Sequence, residues 1–396
     1  FEGVAVMSCG DRKKVFLYSG VRTPIGSFRG SLSTASSVEL GATAAREAIK
    51  RSGLDASAIS EVVVGSVLTA GVGQSVGRQV AIAAGVPKTV SAFTINKVCS
   101  SSMKALQLAY SSILLGDSAH SLVVGTESMS RVPFYMQRGE IPYGGTAMVD
   151  GVVRDGLEDA MLHEPMGVCA EKSAKDYGIS RQESDAYAIG SYKKAAEAWS
   201  AGKFKDEVIP MVIRGRRGEE VKIEEDEEYK KLIESKVPSL SPVFIKDGTG
   251  TITAANASSL NDGAVAAVIS ASLPLPPLAE IVCFAEVAGE PVDFTVIPVV
   301  AVKKLLEKTG LDVGAISLWE VNEAFSVTVL AFIKALGVDA TRVNVKGGAV
   351  SLGHPLGMSG LRVVVSLAHS LERDQLGVAA ICNGGGEAVA VLLRGC

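Results

Sequence analysis

The chain has 396 residues, carries 39 Lys and Arg against 43 Asp and Glu for a formal net charge of −4, and is 47% apolar. This mild acidity excludes a sequence-independent nucleic-acid binder, because neutralising phosphates takes a basic surplus, and the apolar content excludes a disordered chain. No run approaches the roughly 18 uninterrupted apolar residues of a spanning helix, so the expectation is a soluble globular protein of two or three domains, with neither nucleic acid nor membrane as partner.

In chain order, aliphatic runs at 15–18, 62–65, 122–125, 265–270, 318–321 and 378–382 predict strands, and apolar spacing over 42–51, 104–115 and 302–308 predicts helices. Strands alternating with helices imply an α/β fold whose sheets are covered on both faces. The segment Ser52-Gly53-Leu54-Asp55, followed three residues later by Ala58-Ile59-Ser60, reads again as Thr309-Gly310-Leu311-Asp312 and Ala315-Ile316-Ser317, at an offset of 257 residues. Each copy closes a helix on glycine and leads into a strand, so two duplicated halves are expected. The same offset sets Cys99 against Leu356, two residues past His354. Between the halves the texture changes: 128–156 is rich in Met, Pro, Gly and Tyr, 171–202 reads as an amphipathic helical region, and 203–236 carries dense mixed charge, including Arg214, Arg216 and Arg217. A loop-rich insertion over 126–250 with a solvated charged face is the expectation.

Six cysteines, Cys9, Cys99, Cys169, Cys283, Cys382 and Cys396, lie far apart with no CxxC pair, and only four histidines occur. Zinc spacing and a dense disulfide framework are both missing, so reduced thiols in an intracellular compartment are expected. The chain opens on Phe1 rather than Met, as a processed chain would.

Four segments can carry chemistry. Cys99, within Asn96-Lys97-Val98-Cys99-Ser100-Ser101-Ser102, opens a helix; free N–H groups and the positive dipole end there favour thiolate, although the commonest fate of a free cysteine is structural burial. His354 stands in the Gly-, Ser- and Pro-rich run 344–357, a tight loop that would fix a base in place; the run lacks the spacing of a P-loop or dinucleotide fingerprint. Cys382 precedes Asn383 and the glycines Gly384, Gly385 and Gly386, whose N–H groups can approach a ligand oxygen as an oxyanion hole requires. Asn322-Glu323-Ala324-Phe325 follows an apolar strand, where Asn can equally serve as a helix N-cap.

The segments NKVCSS around Cys99, NEAF at 322–325, GGAVSLGHPLG at 347–357 and CNGGG at 382–386, in that order, resemble the thiolases, as do RTPIGSF at 22–28, ESMS at 127–130 and NDGA at 261–264. TAANASSLNDGA at 253–264 and EPVDF at 290–294 are similar to the mitochondrial-type branch that cleaves acetoacetyl-CoA and 2-methylacetoacetyl-CoA. The resemblance implies the thiolase fold, with duplicated βαβαβαββ halves in five α-β-α-β-α layers: 13–125 with 251–271 as the first half, 126–250 as an inserted loop domain, and 272–396 as the second half. It implies that Cys99 takes the acyl group, His354 takes the thiol proton and Cys382 moves the proton at the α-carbon. Asn322, through a water and with His354, would stabilise the thioester enolate, and the N–H groups of Cys99 and Gly384 would form a second oxyanion hole. Coenzyme A, a substrate with no organic cofactor beside it, is implied to meet Tyr192, Lys231, Leu232, Ile233, Lys236 and Ser258, with Met166, Phe294 and Phe325 also in contact with substrate. A potassium ion is implied at the Tyr192 hydroxyl and the carbonyls of Ala254, Ala255, Ala257 and Val350. A homotetramer, touching near 131–155, and the mitochondrial matrix, with the cytosol as alternative, complete the implications.

Three positions depart from the family pattern. Pro165 stands where the family often has a pocket histidine, with His163 nearby as a substitute; Ser102 replaces a glycine; and Thr295 replaces a proline after Phe294, which leaves the 2-methyl branch open. A ketoacyl-synthase-type condensing enzyme would place His or Asn where Cys382 stands, and a noncatalytic coenzyme A binder would have lost a catalytic residue.

Overall fold

A computed structural model describes residues 13–215 and 218–396; Cys9, Arg216 and Arg217 lie outside the described residues. The first half comprises β1 (Val15–Leu17), α1 (Ser37–Ser52), β2 (Glu61–Gly65), α2 (Val76–Ala83), β3 (Ser91–Ile95), α3 (Ser101–Leu115), β4 (His120–Ser128) and, much later, β5 (Asn261–Ser270). Between β4 and β5 lie α4 (Met166–Asp176) and α5 (Arg181–Ser200). The second half runs β6 (Ala279–Ala288), α6 (Ile297–Thr309), β7 (Leu318–Val321), α7 (Ser326–Leu336), the short turn α8 (Ala349–Leu352), α9 (Leu356–Ala368), β8 (Leu376–Asn383) and β9 (Glu387–Gly395). All six aliphatic runs form strands, the first ending one residue early at Leu17. The helical region expected over 171–202 is two helices, because Gly178 turns left-handed (φ 57°) and a Ser180–Glu183 capping box starts α5 afresh.

The repeat is visible in the fold. Gly53 and Gly310 close α1 and α6 in the same left-handed conformation (φ 69° and 68°). Hydrogen bonding runs through both halves in the order β7–β8–β9–β6–β1–β5–β4–β2–β3, with β1 pairing β5 on one side and β6 on the other. In each half a strand lies parallel to its neighbour, β2 to β4 and β7 to β8.

Period-2 alternation sends side chains to two different cores. Val62, Val64, Leu122 and Val124 pack under α1 and α2, whereas Val63 and Val123 face α3 and α9. In the second half Val378 and Ala380 meet α6 and α7, and Ala379 and Ile381 face the middle. The result is the five-layered α-β-α-β-α arrangement that the resemblance implies, with α3 and α9 sandwiched centrally. Every residue of α9 is buried, and Gly360 lets it approach α3 closely: a Cβ there would lie 2.7 Å from the Met103 nitrogen. Of the segment between β4 and β5, α4 packs on α7, and α5 on α7 and α8.

Most charges of the stretch at 203–236 face solvent as expected, but Glu207, Asp226 and Glu228 do not. Glu207 and Asp226 are fully buried around Arg22, whose Nε donates to Glu207 Oε1 (2.6 Å) and whose Nη1 and Nη2 donate to Asp226 Oδ1 and Oδ2 (2.7 and 2.9 Å). Lys346 Nζ donates to Glu207 Oε2 (3.0 Å). Burial opposes the Glu207 charge, but Lys346 and Arg22 outweigh it and hold the carboxyl well below the usual range. A depressed folded-state value means stability that is complete above the unfolded value and is lost as pH falls below it. Glu207→Gln, which leaves two buried cations short of a partner, is therefore expected to cost about 3–5 kcal/mol in urea unfolding at about pH 7, with a smaller gap between variant and parent at about pH 4.

Candidate active site

Loops leaving the carboxyl ends of the strands gather at one rim of the layers, the usual location of a site in parallel-strand folds. The loop from β3 to α3 brings Cys99, the end of β7 brings Asn322, the end of β8 brings Cys382, and the approach to α9 brings His354. By the offset of the repeat, Cys99 and His354 sit at comparable helix entries.

Cys99 is 8% exposed and follows Val98, a β-branched residue held at φ 45°, a conformation such residues adopt only where their surroundings force it. Ser101 Oγ secures that turn by accepting from Lys97 N–H (2.9 Å) and donating to the Val98 carbonyl (2.6 Å). Ser102 is fully buried in the first turn of α3. Its buried hydroxyl donates to the Met358 carbonyl (3.1 Å) and accepts from Leu361 N–H (2.9 Å), tying α3 to α9. Gly125 leaves the room for it, since a Cβ there would meet Ser102 Cβ at 2.6 Å.

Burial pushes the Cys99 thiol up to about 11, against the pull of the Gly384 N–H and its own N–H. The expected thiolate preference at the helix start is thus reversed at rest, because desolvation of the charge outweighs two N–H dipoles. Burial, then the neighbouring Cys99 sulfur, raise the fully buried Cys382 thiol further. His354 is pushed down to about 3 by burial and then by the Arg362 charge. The resting groups are two neutral thiols and a neutral imidazole.

Hydrogen bonding fixes the imidazole tautomer. Ser359 Oγ donates to the Pro355 carbonyl (2.8 Å), so its contact with His354 Nδ1 (2.6 Å) takes the ring proton, and Nε2 carries the lone pair. Nε2 lies 3.5 Å from Asn322 Nδ2. Asn322 is not a helix N-cap; α7 starts four residues later without a side-chain cap. The adjacent Glu323 carboxylate holds the His354 loop, accepting from Tyr187 and Ser191 hydroxyls (2.7 and 2.8 Å) and from Asn344 and Val350 nitrogens (both 3.0 Å). The glycine turn after Cys382 is anchored, not loose: Ser100 Oγ donates to Asn383 Oδ1 (2.7 Å) and Lys97 Nζ to Glu387 Oε2 (2.6 Å).

Cys99, His354 and Gly384 open on one cavity of about 340 Å³, walled by Met129, Leu157, Pro165, Met166, Phe244, Ser258, Phe294 and Phe325 among others. Pro165 lines it, whereas the His163 side chain is two-thirds exposed (67%) and outside it, so no imidazole replaces the one the family often has. Thr295 is buried against Ser173 Oγ (2.6 Å) and is not part of the wall. A second cavity of about 300 Å³ gathers Tyr192, Lys231, Leu232, Ile233, Lys236, Ala254 and Ala255; the chain from Ala255 to Ser258 passes from it to the first cavity. Lys231 is not a free cation, since its Nζ donates to Glu228 Oε1 (3.0 Å).

A site built on two neutral thiols, an Nε2 lone pair and an N–H-rich glycine turn suits acyl transfer through sulfur. Residues 15–272 match the thiolase N-terminal domain and 275–395 the thiolase C-terminal domain. The chain belongs to the thiolase family. This thiolase is 50% identical over 385 residues to the mitochondrial acetyl-CoA acetyltransferase of Rattus norvegicus (96% of this chain, 91% of that one) and 49% identical to that of Homo sapiens (96% and 90%). The crystal structure of Acat5 thiolase from Ascaris suum in complex with coenzyme A superposes with a TM-score of 0.93 at 55% identity, covering 97% of this chain and all of that one. The acetyl-CoA acetyltransferase of Syntrophomonas wolfei gives 0.92 at 34% identity, covering 98% and 100%.

Ser359, Arg362 and Glu320 gave no separate signal of a place near the site beyond an arginine within an otherwise uncharged helix. Yet Ser359 lies buried against His354, and Arg362, paired with Glu320, against Asn322. Among the described residues no helix is long and apolar enough to cross a membrane, and Cys99, Cys169, Cys283, Cys382 and Cys396 are free thiols.

Proposed function

We propose that this thiolase is an acetyl-CoA C-acetyltransferase that cleaves acetoacetyl-CoA with coenzyme A and runs the Claisen condensation in reverse. One observation carries the reading: the Cys99 sulfur lies against the Gly384 N–H and within electrostatic reach of Cys382, in the cavity that His354 lines. In cleavage Cys99 Sγ attacks the C3 carbonyl while its proton passes to His354 Nε2. The N–H groups of Cys99 and Gly384 hold the resulting oxyanion, each such donor contributing roughly 10²–10³ in rate. The C2–C3 bond then breaks, leaving acetyl-Cys99 and the acetyl-CoA enolate, whose oxygen faces His354 and Asn322 through a water. Cys382, its proton retained by burial, protonates C2. The proton on His354 passes to the Cys382 thiolate and the first acetyl-CoA leaves. Coenzyme A then gives its thiol proton to His354 as its sulfur attacks acetyl-Cys99, that proton returns to the Cys99 sulfur, and a second acetyl-CoA leaves.

The second cavity is the proposed coenzyme A site, with Tyr192, Leu232, Ile233, Lys236 and Ser258 in contact and Lys231 exchanging Glu228 for phosphate. The residues implied for potassium fit it: the Tyr192 hydroxyl and the carbonyls of Ala254, Ala255, Ala257 and Val350 accept no hydrogen bond among the described residues, and oxygen donors suit a hard cation. Its charge would steady the segment between the cavities. The apolar wall at Met166, Phe294 and Phe325, without a histidine at Pro165, favours 2-methylacetoacetyl-CoA as a further substrate. A homotetramer is proposed on the exposed apolar side chains Phe134, Met136, Ile141, Tyr143 and Met148, the division 13–125 with 251–271, 126–250 and 272–396 as its domains, and the mitochondrial matrix as its place.

Initial rates with acetoacetyl-CoA and coenzyme A varied together test the reading. Parallel double-reciprocal lines, the mark of an acyl-enzyme, are expected; intersecting lines, or no cleavage dependent on coenzyme A, would contradict it.

A further inference from the structure

We infer that Arg362, which lines neither cavity of the site, is a positioning residue for the reaction: its guanidinium decides which end of the Asn322 carboxamide meets the His354 ring. The inference rests on the acyl-cysteine reading above. Arg362 is 1% exposed within α9, where every other residue is neutral. Its Nη1 donates to Glu320 Oε1 (2.9 Å) and its Nη2 to Asn322 Oδ1 (3.4 Å). A guanidinium can only donate, so the carboxamide must offer it oxygen. That leaves Nδ2 as the end at 3.5 Å from His354 Nε2. Turned the other way, Oδ1 would face a lone pair and repel it.

Ring and carboxamide are thereby set from one contact between helix and strand. Ser359, which takes the Nδ1 proton, lies one turn before Arg362 on α9, and Glu320 and Asn322 are two residues apart. A buried ion pair contributes little net stability compared with apolar residues of the same size. Stability alone therefore gives weak reason for a charge in this helix, and the fork to Asn322 gives a stronger one. The guanidinium is also the charge that, after burial, acts against imidazolium formation. The other titratable groups around the ring include Cys99 and Glu158 on the same cavity wall, Glu127, Asp262, Glu320 and Cys382 on strands packed against α9, and Glu323 bonded to the His354 loop.

The test uses the full chain with Arg362→Lys and with the charge-balanced double variant Arg362→Gln/Glu320→Gln. In the double variant kcat for acetoacetyl-CoA cleavage is expected to fall about 10- to 100-fold, the scale of a misplaced catalytic group, with KM within about threefold. Burial pushes the Glu320 carboxyl up to about 7, so at the acid limb the only charge the double variant removes is the repelling guanidinium, and that limb of kcat/KM for acetoacetyl-CoA is expected about one pH unit higher than in the parent. Arg362→Lys keeps the charge and breaks the fork, so its acid limb stays while kcat falls at least about fivefold. A folded double variant with parental kcat and an unmoved limb would overturn the inference. If that variant does not fold, the lysine variant decides, and parental kcat there overturns it. Nitrogen NMR titration of the His354 ring needs no turnover: an unmoved titration in the double variant counts against the inference even in an inactive protein. Failure of the parent to cleave acetoacetyl-CoA would overturn the proposed function alone.

Discussion

Cys99→Ala is expected to lower cleavage of acetoacetyl-CoA by coenzyme A by roughly 10⁴-fold or more while leaving the fold and coenzyme A binding intact. The sulfur is the atom that the Gly384 and Cys99 N–H groups meet, and no other side chain of the cavity wall is a thiol. Removing it deletes one small atom at the edge of a cavity, so the structural cost should be about 1 kcal/mol, readable as a small change in urea midpoint. Initial rates over a range of coenzyme A concentrations check the effect. A residual rate within about tenfold of the parent would remove Cys99 from the role of nucleophile.

Cys382→Ala should separate the two halves of the reaction. In the proposed cycle Cys382, fully buried at the end of β8 with its thiol held neutral, handles the proton at the α-carbon and not the acyl group. Cleavage of acetoacetyl-CoA is expected to fall roughly 10²–10⁴-fold, the usual contribution of a positioned acid or base. Acetylation of Cys99 by acetyl-CoA should still be detectable as a rapid burst. Equal loss of both activities would argue that Cys382 supports the cavity structurally, and loss of neither would remove it from the mechanism.

Much of this was legible in the sequence because the relevant signals are local. Strands buried on both faces read as unbroken aliphatic runs, as at Val62–Val64 and Leu122–Val124, and the helix-Gly-strand repeat survives as letters because Gly53 and Gly310 both need left-handed backbone. Cys99, His354 and Cys382 each sit in an unusual local context, and the fold brings them together. What escaped is what only tertiary structure creates. The dipole argument for a Cys99 thiolate was sound in direction, but local sequence carries no measure of burial, and burial wins. The charged stretch at 203–236 gave no sign that Glu207 and Asp226 turn inward, since their partner Arg22 lies 185 and 204 residues away from them. His163 is close to Pro165 in sequence, yet its backbone (φ 56°) carries it outward. The role of Ser102 required α9 to be in place beside α3 before its hydroxyl had partners.

The central claim is that an acyl group resides on one particular sulfur. The most direct measurement is to mix the protein with acetyl-CoA, quench in acid and map the modified peptides by mass spectrometry. Acetyl on the peptide bearing Cys99, removed when coenzyme A is added before the quench, is the predicted result; acetyl on Cys382 or Cys169, or no adduct released by coenzyme A, would contradict the account.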